Sequence, residues 1–376
     1  MAEQSLALLD HFAHLSDPRV KRGQDHPLLT IVGIALCAIL GGADDWVAVE
    51  RFGNAKFDWL SRFLDLSNGI PSHDTFGRVF ARIDPVQFEA GFRDWVAAIS
   101  ERLPGLLAID GKTLCGSRDK ANGGKALHMV SAWASEARLT LGLAAVADKS
   151  NEITAIPKLL QILDLEGALV SIDAMGCQKD IAAQVRDQKA DYLLAVKENQ
   201  ERLFQDIEAL FLDFAADHDA YHYTVAQSND NNHGRQEHRV VFVLEELDSI
   251  RDRELWRDLA RVIVVLRERR VGEQISHETH YYISSRKAGA EVFLDAVRQH
   301  WGIENGCHWV LDVCFGEDAC RARKGHAARN LACLRRLALS MLKRVDGPKC
   351  GTRNRRLTAG WDTTFLEKVL HAAVPD

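Results

Sequence analysis

The sequence lacks several signatures that place a chain in a specialised class. Its eight cysteines form no C-x-x-C pair, which argues against a structural zinc site. No G-x-G-x-x-G follows a strand-like run, which argues against a Rossmann-type nucleotide enzyme. Internal repeats and low-complexity segments are also absent. With 47% hydrophobic and 27% charged residues among 376, the composition excludes collagen-like, disordered and disulfide-scaffold classes.

Long hydrophobic runs are scarce as well. The most apolar stretch, residues 27–40, ends in Gly41, Gly42 and two aspartates and is short for a membrane span, which needs about 20 residues. We therefore expect a buried helix there and no membrane partner. The first residues carry no basic segment of the kind that opens a signal peptide. This indicates a cytoplasmic protein with reduced thiols.

Charge is unevenly distributed along the chain. The net charge is −6, but residues 321–356 contain twelve Lys or Arg against one acid, Asp346. That segment is therefore +11, which leaves −17 for the remainder. A basic segment on an acidic body favours a polyanionic partner. The alternative is an ordinary solvated helix followed by a tail.

The N-terminal part, residues 1–102, reads as a helical domain. Helix starts are predicted at Ser72 and at Asp84-Pro85, because short polar residues cap helices and proline fits the first turn. A DNA-binding helix-turn-helix across residues 60–83 is one interpretation. A plain helical bundle is the other.

The pattern changes near residue 103 to short apolar runs separated by helices. Strands are predicted over 106–110, 128–134, 139–147, 168–173 and 191–196, with helices after the third and fourth. This order predicts a mixed α/β core over residues 103–200 and 290–345. Residues 201–289 read as a helix followed by a β-rich insertion, with an exposed loop at 228–234. Residues 346–376 read as a basic C-terminal tail.

Two aspartates share the same context in this core. Asp110 and Asp173 each end a buried apolar strand, where side chains leave the core but stay rigidly held. Neighbouring carboxylates repel one another unless a cation lies between them, and oxygen ligands suit Mg²⁺ or Mn²⁺. The alternative is two unrelated acids at strand ends.

A third acid is available on a C-terminal helix. Glu304, His308 and Asp312 follow at i, i+4 and i+8, on one helical face. Taken in isolation, Glu304 fits an ordinary surface position of a helix better than a ligand position. Glu152 lies near a helix start, where an acid is favoured by the helix dipole, and we interpret it and His308 as structural.

Six motifs in order along the chain carry a resemblance to a known family. They are LAIDGK at 107–112, KSNEI at 149–153, IDAMGCQ at 172–178, YLLAVKENQ at 192–200, HWGIEN at 300–305 and HWVLDV at 308–313. Together they closely resemble the DDE transposases of bacterial insertion sequences, in the ISAs-type group that includes the H-repeat-associated proteins. The resemblance extends over about residues 8–345.

The resemblance implies a fold and a chemistry. It implies an RNase H-like catalytic core, interrupted by the β-rich insertion and preceded by the N-terminal helical domain. The implied catalytic and metal-binding triad is Asp110, Asp173 and Glu304, holding two Mg²⁺ or Mn²⁺ ions, with Asp312 as a fallback third acid. The implied reaction is cleavage of element ends and strand transfer into target DNA, performed on double-stranded DNA by a homodimer.

Basic residues near these motifs are candidate DNA contacts. Related transposases carry a Tyr, Arg, Glu, Lys signature around the glutamate, whereas here Val297, His300 and Leu311 stand at the corresponding places. Other cations of this chain would then contact phosphates in place of the missing signature arginine and lysine. The candidates are Lys112, Lys149, Lys197, Arg298, Arg321, Arg323 and Lys324.

Two rival functions fit the same sequence. A metal-dependent nuclease would use the same triad without a joining step. A catalytically inactive or domesticated DNA-binding protein would retain the fold without the chemistry. DNA cleavage and joining assays with Mg²⁺ discriminate among the three.

Overall fold

The computed structural model describes residues 6–100, 105–118, 123, 125–146, 152–232 and 234–372. Within these ranges it contains nine β-strands and thirteen α-helices. The strands are β1 (Leu106–Leu114), β2 (Leu127–Ala134), β3 (Leu139–Val146), β4 (Leu169–Ile172), β5 (Asp191–Val196), β6 (Tyr223–Asn232), β7 (Arg235–Leu244), β8 (Arg261–Val271) and β9 (Gln274–Ser284).

The helices lie on both sides of the sheet that these strands form. They are α1 (Leu28–Leu40), α2 (Trp46–Ala55), α3 (Phe57–Leu60), α4 (His73–Phe80), α5 (Pro85–Ile99), α6 (Glu152–Gln161), α7 (Lys179–Asp187), α8 (Glu201–Ala216), α9 (Ala290–Ile303), α10 (Trp309–Phe315), α11 (Ala327–Arg344), α12 (Thr352–Trp361) and α13 (Thr363–His371). A single π-helical turn, Glu304–His308, joins α9 to α10.

The sheet is mixed and has the order β3-β2-β1-β4-β5-β9-β8-β7-β6. Strands β1, β4 and β5 are parallel, whereas β2, β3 and β9 to β6 run antiparallel to their neighbours. The five strands predicted from the apolar runs of the core are confirmed as β1 to β5, but β1 does not end at Asp110 as predicted, because its pairing with β2 continues to Leu114. A mixed α/β fold is therefore established.

The helices divide between the two faces of the sheet. Apolar side chains of α6, α7 and α8 pack on one face, with β-branched residues of β1, β4 and β8 beneath them. On the other face, α9 covers the middle of the sheet, and α10 and α11 join the N-terminal helices in one continuous core. The predicted helix starts are also confirmed, since Ser72 caps α4 and Asp84 caps α5 with Pro85 in its first turn.

The most apolar helix, α1, is an interior element. In the described part of the chain one helical stretch, Lys21–Leu40, is long and apolar enough to cross a membrane. Every residue of α1 except Leu29 is buried inside the protein. The apolar run thus forms the centre of the helical core, as its sequence predicted.

Residues 201–289 contain α8 followed by four strands, which is the order expected for this segment. The four strands continue the central sheet, because β9 pairs with β5. The predicted loop at 228–234 is wrong, since residues 223–232 form strand β6, which pairs along its whole length with β7. The polar side chains that suggested a loop lie on an edge strand, where one side of the strand faces solvent.

Residues 346–372 also differ from the expected basic tail. They form α12 and α13, whose Ala359, Phe365 and Leu366 belong to the same core as α1 and α11. Arg356 is 3% exposed and donates hydrogen bonds to the carbonyl oxygens of Ile39 and Ala43. At least one of the cations that suggested a polyanion-binding tail, Arg356, therefore binds backbone carbonyl groups inside the protein.

Candidate active site

The end of the parallel pairing between β1 and β4 brings Asp110 and Asp173 together. Ile109 of β1 pairs with Ile172, the last residue of β4, and the next residue along each chain segment is one of the two aspartates. Asp173 accepts hydrogen bonds from the backbone N–H groups of Met175 and Gly176, at 3.1 and 3.4 Å. The side chain of Asp173 is thus oriented by the turn that follows its own strand.

Glu304 reaches the same place from the end of α9. Asp110, Asp173 and Glu304 all line one cleft of about 310 Å³. Lys197, at the end of β5, and residues 279–282 of β9 form its opposite wall, and His300 and Trp301 of α9 complete it. The structure therefore brings the three acids of the expected triad into one solvent-accessible cleft.

His308 lies between two of these acids. Its Nδ1 is 3.4 Å from a carboxylate oxygen of Asp110 and 3.9 Å from one of Glu304. The imidazole is 4% exposed, so both contacts lie in an interior where charge is weakly screened. Asp110, Glu304 and His308 each offer one ligand atom within 4.8 Å of the others, a spacing that could hold a metal ion.

The pKa values of the acids respond to their different neighbours. Burial raises the pKa of Asp173, and the nearby charges of Glu152 and Asp110 raise it further. Burial also favours a higher pKa for Asp110, but the hydrogen bond and the charge of His308 outweigh it and hold the pKa of Asp110 below its usual value. The hydrogen bond from His308 likewise lowers the pKa of Glu304.

These observations fit a divalent cation. Carboxylates that raise one another's pKa lose that repulsion when a cation lies between them. Carboxylate oxygens are the donors that Mg²⁺ and Mn²⁺ prefer. The donor set at the cleft is therefore chemically suited to the ions that the sequence implied.

Lys112 is in a different position from the one expected of a DNA contact. It is 8% exposed, and its Nζ donates to Asp312 and, at 3.2 Å, to Asp318. Asp312 is thus occupied as the partner of a buried lysine and is absent from the wall of the cleft. This arrangement favours Glu304 over Asp312 as the third acid.

The other candidate DNA contacts are distributed over the surface. Lys197 is exposed at the cleft itself. Arg298 is exposed but paired with Asp230 at 2.9 Å, and Arg321, Arg323 and Lys324 are exposed together in the segment between α10 and α11. Lys149 lies outside the described residues.

A buried pair beside the cleft was not recognised from the sequence. Nε2 of His128 is 2.6 Å from a carboxylate oxygen of Glu152, and both side chains are almost fully buried. Thr113 contacts the other imidazole nitrogen at 2.9 Å. The only signal in the sequence was a histidine within an otherwise apolar strand, which does not identify its partner across the fold.

His300 is a second polar residue whose position the sequence did not reveal. Its Nδ1 lies 2.8 Å from the hydroxyl of Ser171 on β4, and burial lowers the pKa of its imidazole. His300 thereby connects α9 to the strand that ends in Asp173. The sequence shows that His300 and Glu304 are four residues apart on a helix, but it does not show that His300 contacts β4.

Comparison with known proteins shows what the whole chain is similar to. A family model described as Transposase DDE domain matches residues 101–341, and one described as DDE_Tnp_1-associated matches residues 9–96. The chain is 40% identical over 370 residues to "Putative transposase YncI" of Escherichia coli O157:H7, covering 97% of this chain and 94% of that protein.

Two further similarities complete the comparison. "H repeat-associated putative transposase YhhI" of Escherichia coli K12 is 37% identical over 373 residues, which cover 96% of this chain and 97% of that protein. A solved structure of a piggyBac transposase synaptic complex with hairpin DNA aligns with 91% of this chain and 71% of that one. Its TM-score of 0.43 and 8% identity are too low to transfer a fold.

Proposed function

This chain belongs to the DDE transposase family, of the H-repeat type, and from that premise we propose that it cuts the ends of an insertion sequence and joins them to target DNA. Family membership makes it a transposase by descent. The cleavage and strand-transfer activity of this copy is the proposal. It is supported above all by one observation, that Asp110, Asp173 and Glu304 line a single cleft.

The proposed catalytic core is RNase H-like. The order β3-β2-β1-β4-β5, with three antiparallel strands followed by two parallel ones, supports this assignment. Asp110 then lies within β1 where its parallel pairing with β4 ends, Asp173 follows the end of β4, and Glu304 is contributed by the end of a helix late in the sequence. The interval between Asp173 and Glu304 contains α7 and β5, then α8 and strands β6 to β9, and finally α9.

The three carboxylates would hold two divalent ions, Mg²⁺ or Mn²⁺. When bound, such ions supply Lewis-acid stabilisation of charge on phosphorus oxygens and activation of an attacking hydroxyl. Asp110 is held within β1 and Asp173 by backbone hydrogen bonds just after β4, so that they offer a pre-organised ligand set. Lys197 at the rim is positioned to contact a phosphate of the DNA strand.

One site can serve cleavage and joining. Both steps are in-line displacements at phosphorus, so the protein has only to position the groups and neutralise charge. We propose double-stranded DNA as the partner, in the form of terminal inverted repeats and target DNA. A homodimer would bring two ends together, and the cytoplasm is the proposed location.

The direct test is Asp173→Asn. The substitution keeps the size and the backbone hydrogen-bond acceptor but removes a charged ligand. We expect DNA affinity and unfolding behaviour close to those of the unchanged protein, with metal-dependent cleavage of end-containing DNA reduced by several orders of magnitude. Asp213→Asn, on the exposed side of α8, is the matched control and should cleave normally.

The same assay separates the rival functions. Cleavage followed by strand transfer supports the transposase. Cleavage without joining would assign a nuclease, and specific DNA binding without cleavage would assign an inactive relative. Full cleavage by Asp173→Asn would remove Asp173 from the metal site.

A further inference from the structure

The segment that carries Glu304 departs from regular helix geometry. Between α9 and α10 the backbone forms a π-turn, in which the N–H of Trp309 bonds to the carbonyl oxygen of Glu304. Such turns are rare in proteins, and those that occur often lie at functional sites. The carboxylate of Glu304 is itself 55% exposed, so its position depends on the backbone of this turn and on the elements that hold it.

A half-buried lysine contacts the π-turn from one side. Nζ of Lys343, near the end of α11, donates to the carbonyl oxygen of Gly306. The same ammonium lies 4.7 Å from the ring centroid of Trp133 on β2, at a distance suited to a cation–π contact. Lys343 therefore connects the centre of the turn to the sheet.

A second lysine, which is buried, holds the segment from the other side. Lys112 lies two residues beyond Asp110 on β1, on the same face of the strand, because side chains alternate along a strand. Its Nζ contacts Asp312 of α10 and Asp318 just beyond. Lys112 thus ties the helix after the π-turn to the strand that carries Asp110.

We propose that Lys343 and Lys112 are positioning residues that set the distance between Glu304 and Asp110 by clamping the π-turn and α10 against the sheet. The proposal rests on the function proposed above for these two acids. It assigns to Lys112 a role in shaping the metal site and not in phosphate contact. Neither lysine touches the reacting atoms.

If Lys343 is a positioning residue, replacing it should disturb the turn without lowering the stability of the fold. Burial lowers the pKa of Lys343 to about 8, with Arg138 adding to this shift and Cys307 and Cys314 opposing it. A lowered pKa means that the folded state disfavours the charged lysine. Lys343→Met should therefore leave the Tm at pH 7 unchanged or raise it, while loosening the turn.

Hydrogen exchange tests the clamp without reference to catalysis. In the full-length protein, Lys343→Met and Lys112→Met should each speed exchange of the amides of residues 305–309 by about tenfold or more, with exchange in β4 and β5 unchanged. Lys343→Arg, which can still donate to Gly306 and lie over Trp133, should restore most of the protection. Lys158→Met, at an exposed position of α6, is the control.

Metal binding supplies the second readout. Titration of the DNA-free protein with Mn²⁺ should show about tenfold weaker binding in both methionine variants and near-normal binding in Lys343→Arg. Unchanged exchange at residues 305–309, or a loss of protection spread evenly through the sheet, would overturn the clamp. Faster local exchange with unchanged Mn²⁺ affinity would overturn the positioning role.

Failure of the proposed function would look different. In that case Asp173→Asn would cleave as well as the unchanged protein, or Mn²⁺ binding would be insensitive to both Asp110→Asn and Asp173→Asn. Such results would count against the metal site itself. The exchange experiment would still support or refute the clamp.

Discussion

At the scale of single residues, Gly111 is the position where the site leaves no room for a side chain. A Cβ built on Gly111 would lie closer than 3.0 Å to Nε2 of His128 and to the carboxylate of Glu152. Both are buried and held against each other, so neither can move away at low cost. The glycine next to Asp110 is thus explained by packing on the opposite face of β1.

Gly111→Ala should therefore destabilise the fold and disturb Asp110. Overpacking of a filled interior costs about 1–3 kcal/mol, and we expect a loss of this size in urea unfolding. Gly23→Ala, where a new Cβ meets nothing within 4 Å, is the control and should change little. An alanine variant with unaltered stability would show that the His128–Glu152 pair moves easily.

At the scale of elements, the connection between α10 and α11 depends on one buried acid. Glu317 is fully buried and bonded at 2.8 Å to Arg336 of α11, which is also fully buried. Lys112 of β1 lies 3.7 Å from the same carboxylate. A strand, a turn and a helix therefore meet at a single charge cluster behind Asp110.

Glu317→Gln should weaken this junction strongly. Removing one member of a buried ion pair leaves an uncompensated charge and costs about 3–5 kcal/mol. The measurement is the free energy of unfolding in urea, with Glu201→Gln, an exposed position on α8, as the control, expected within about 0.5 kcal/mol. Adding Arg336→Met to Glu317→Gln should recover part of the loss, and its failure to do so would contradict the pairing.

At the scale of the whole molecule, the basic segment near the C-terminus divides into an interior part and a surface part. Arg336 and Arg356 are buried, whereas Arg321, Arg323 and Lys324 are exposed together. The exposed cations, which also include Arg344, Lys349 and Arg353, are available to a polyanion, whereas the buried arginines are not. We therefore expect the group of Arg321, Arg323 and Lys324 to contribute to DNA affinity.

Neutralising Arg321, Arg323 and Lys324 to glutamine should weaken binding to all DNA sequences similarly. Each lost phosphate contact reduces the slope of log K against log salt by about 0.9, so the triple variant should lower it by about 2 to 3. Lys158→Gln with Lys189→Gln, two exposed positions of α6 and the end of α7, should leave the slope unchanged. An unaltered slope in the triple variant would remove this group from the DNA interface.

Local patterns in the sequence determined much of this protein. Apolar runs ending in an acid identified β1 and β4 with Asp110 and Asp173, and capping residues located α4 and α5, because these signals act between neighbours in the chain. Family membership was likewise readable from short motifs in order. The polar strand β6 was missed, since edge strands tolerate the same residues as loops.

Only the tertiary structure decided which groups meet. Lys112 contacts an acid 200 residues away, and Arg356 caps a carbonyl 317 residues away, so no local pattern could separate these buried cations from solvated ones. The His128–Glu152 pair and the contact from Lys343 to the π-turn are also long-range. The charged residues of a chain can be counted in its sequence, but packing determines which of them are buried and what they contact. For this reason the basic segment 321–356 is partly buried, and Lys112, predicted to contact phosphate, instead contacts acids of the protein.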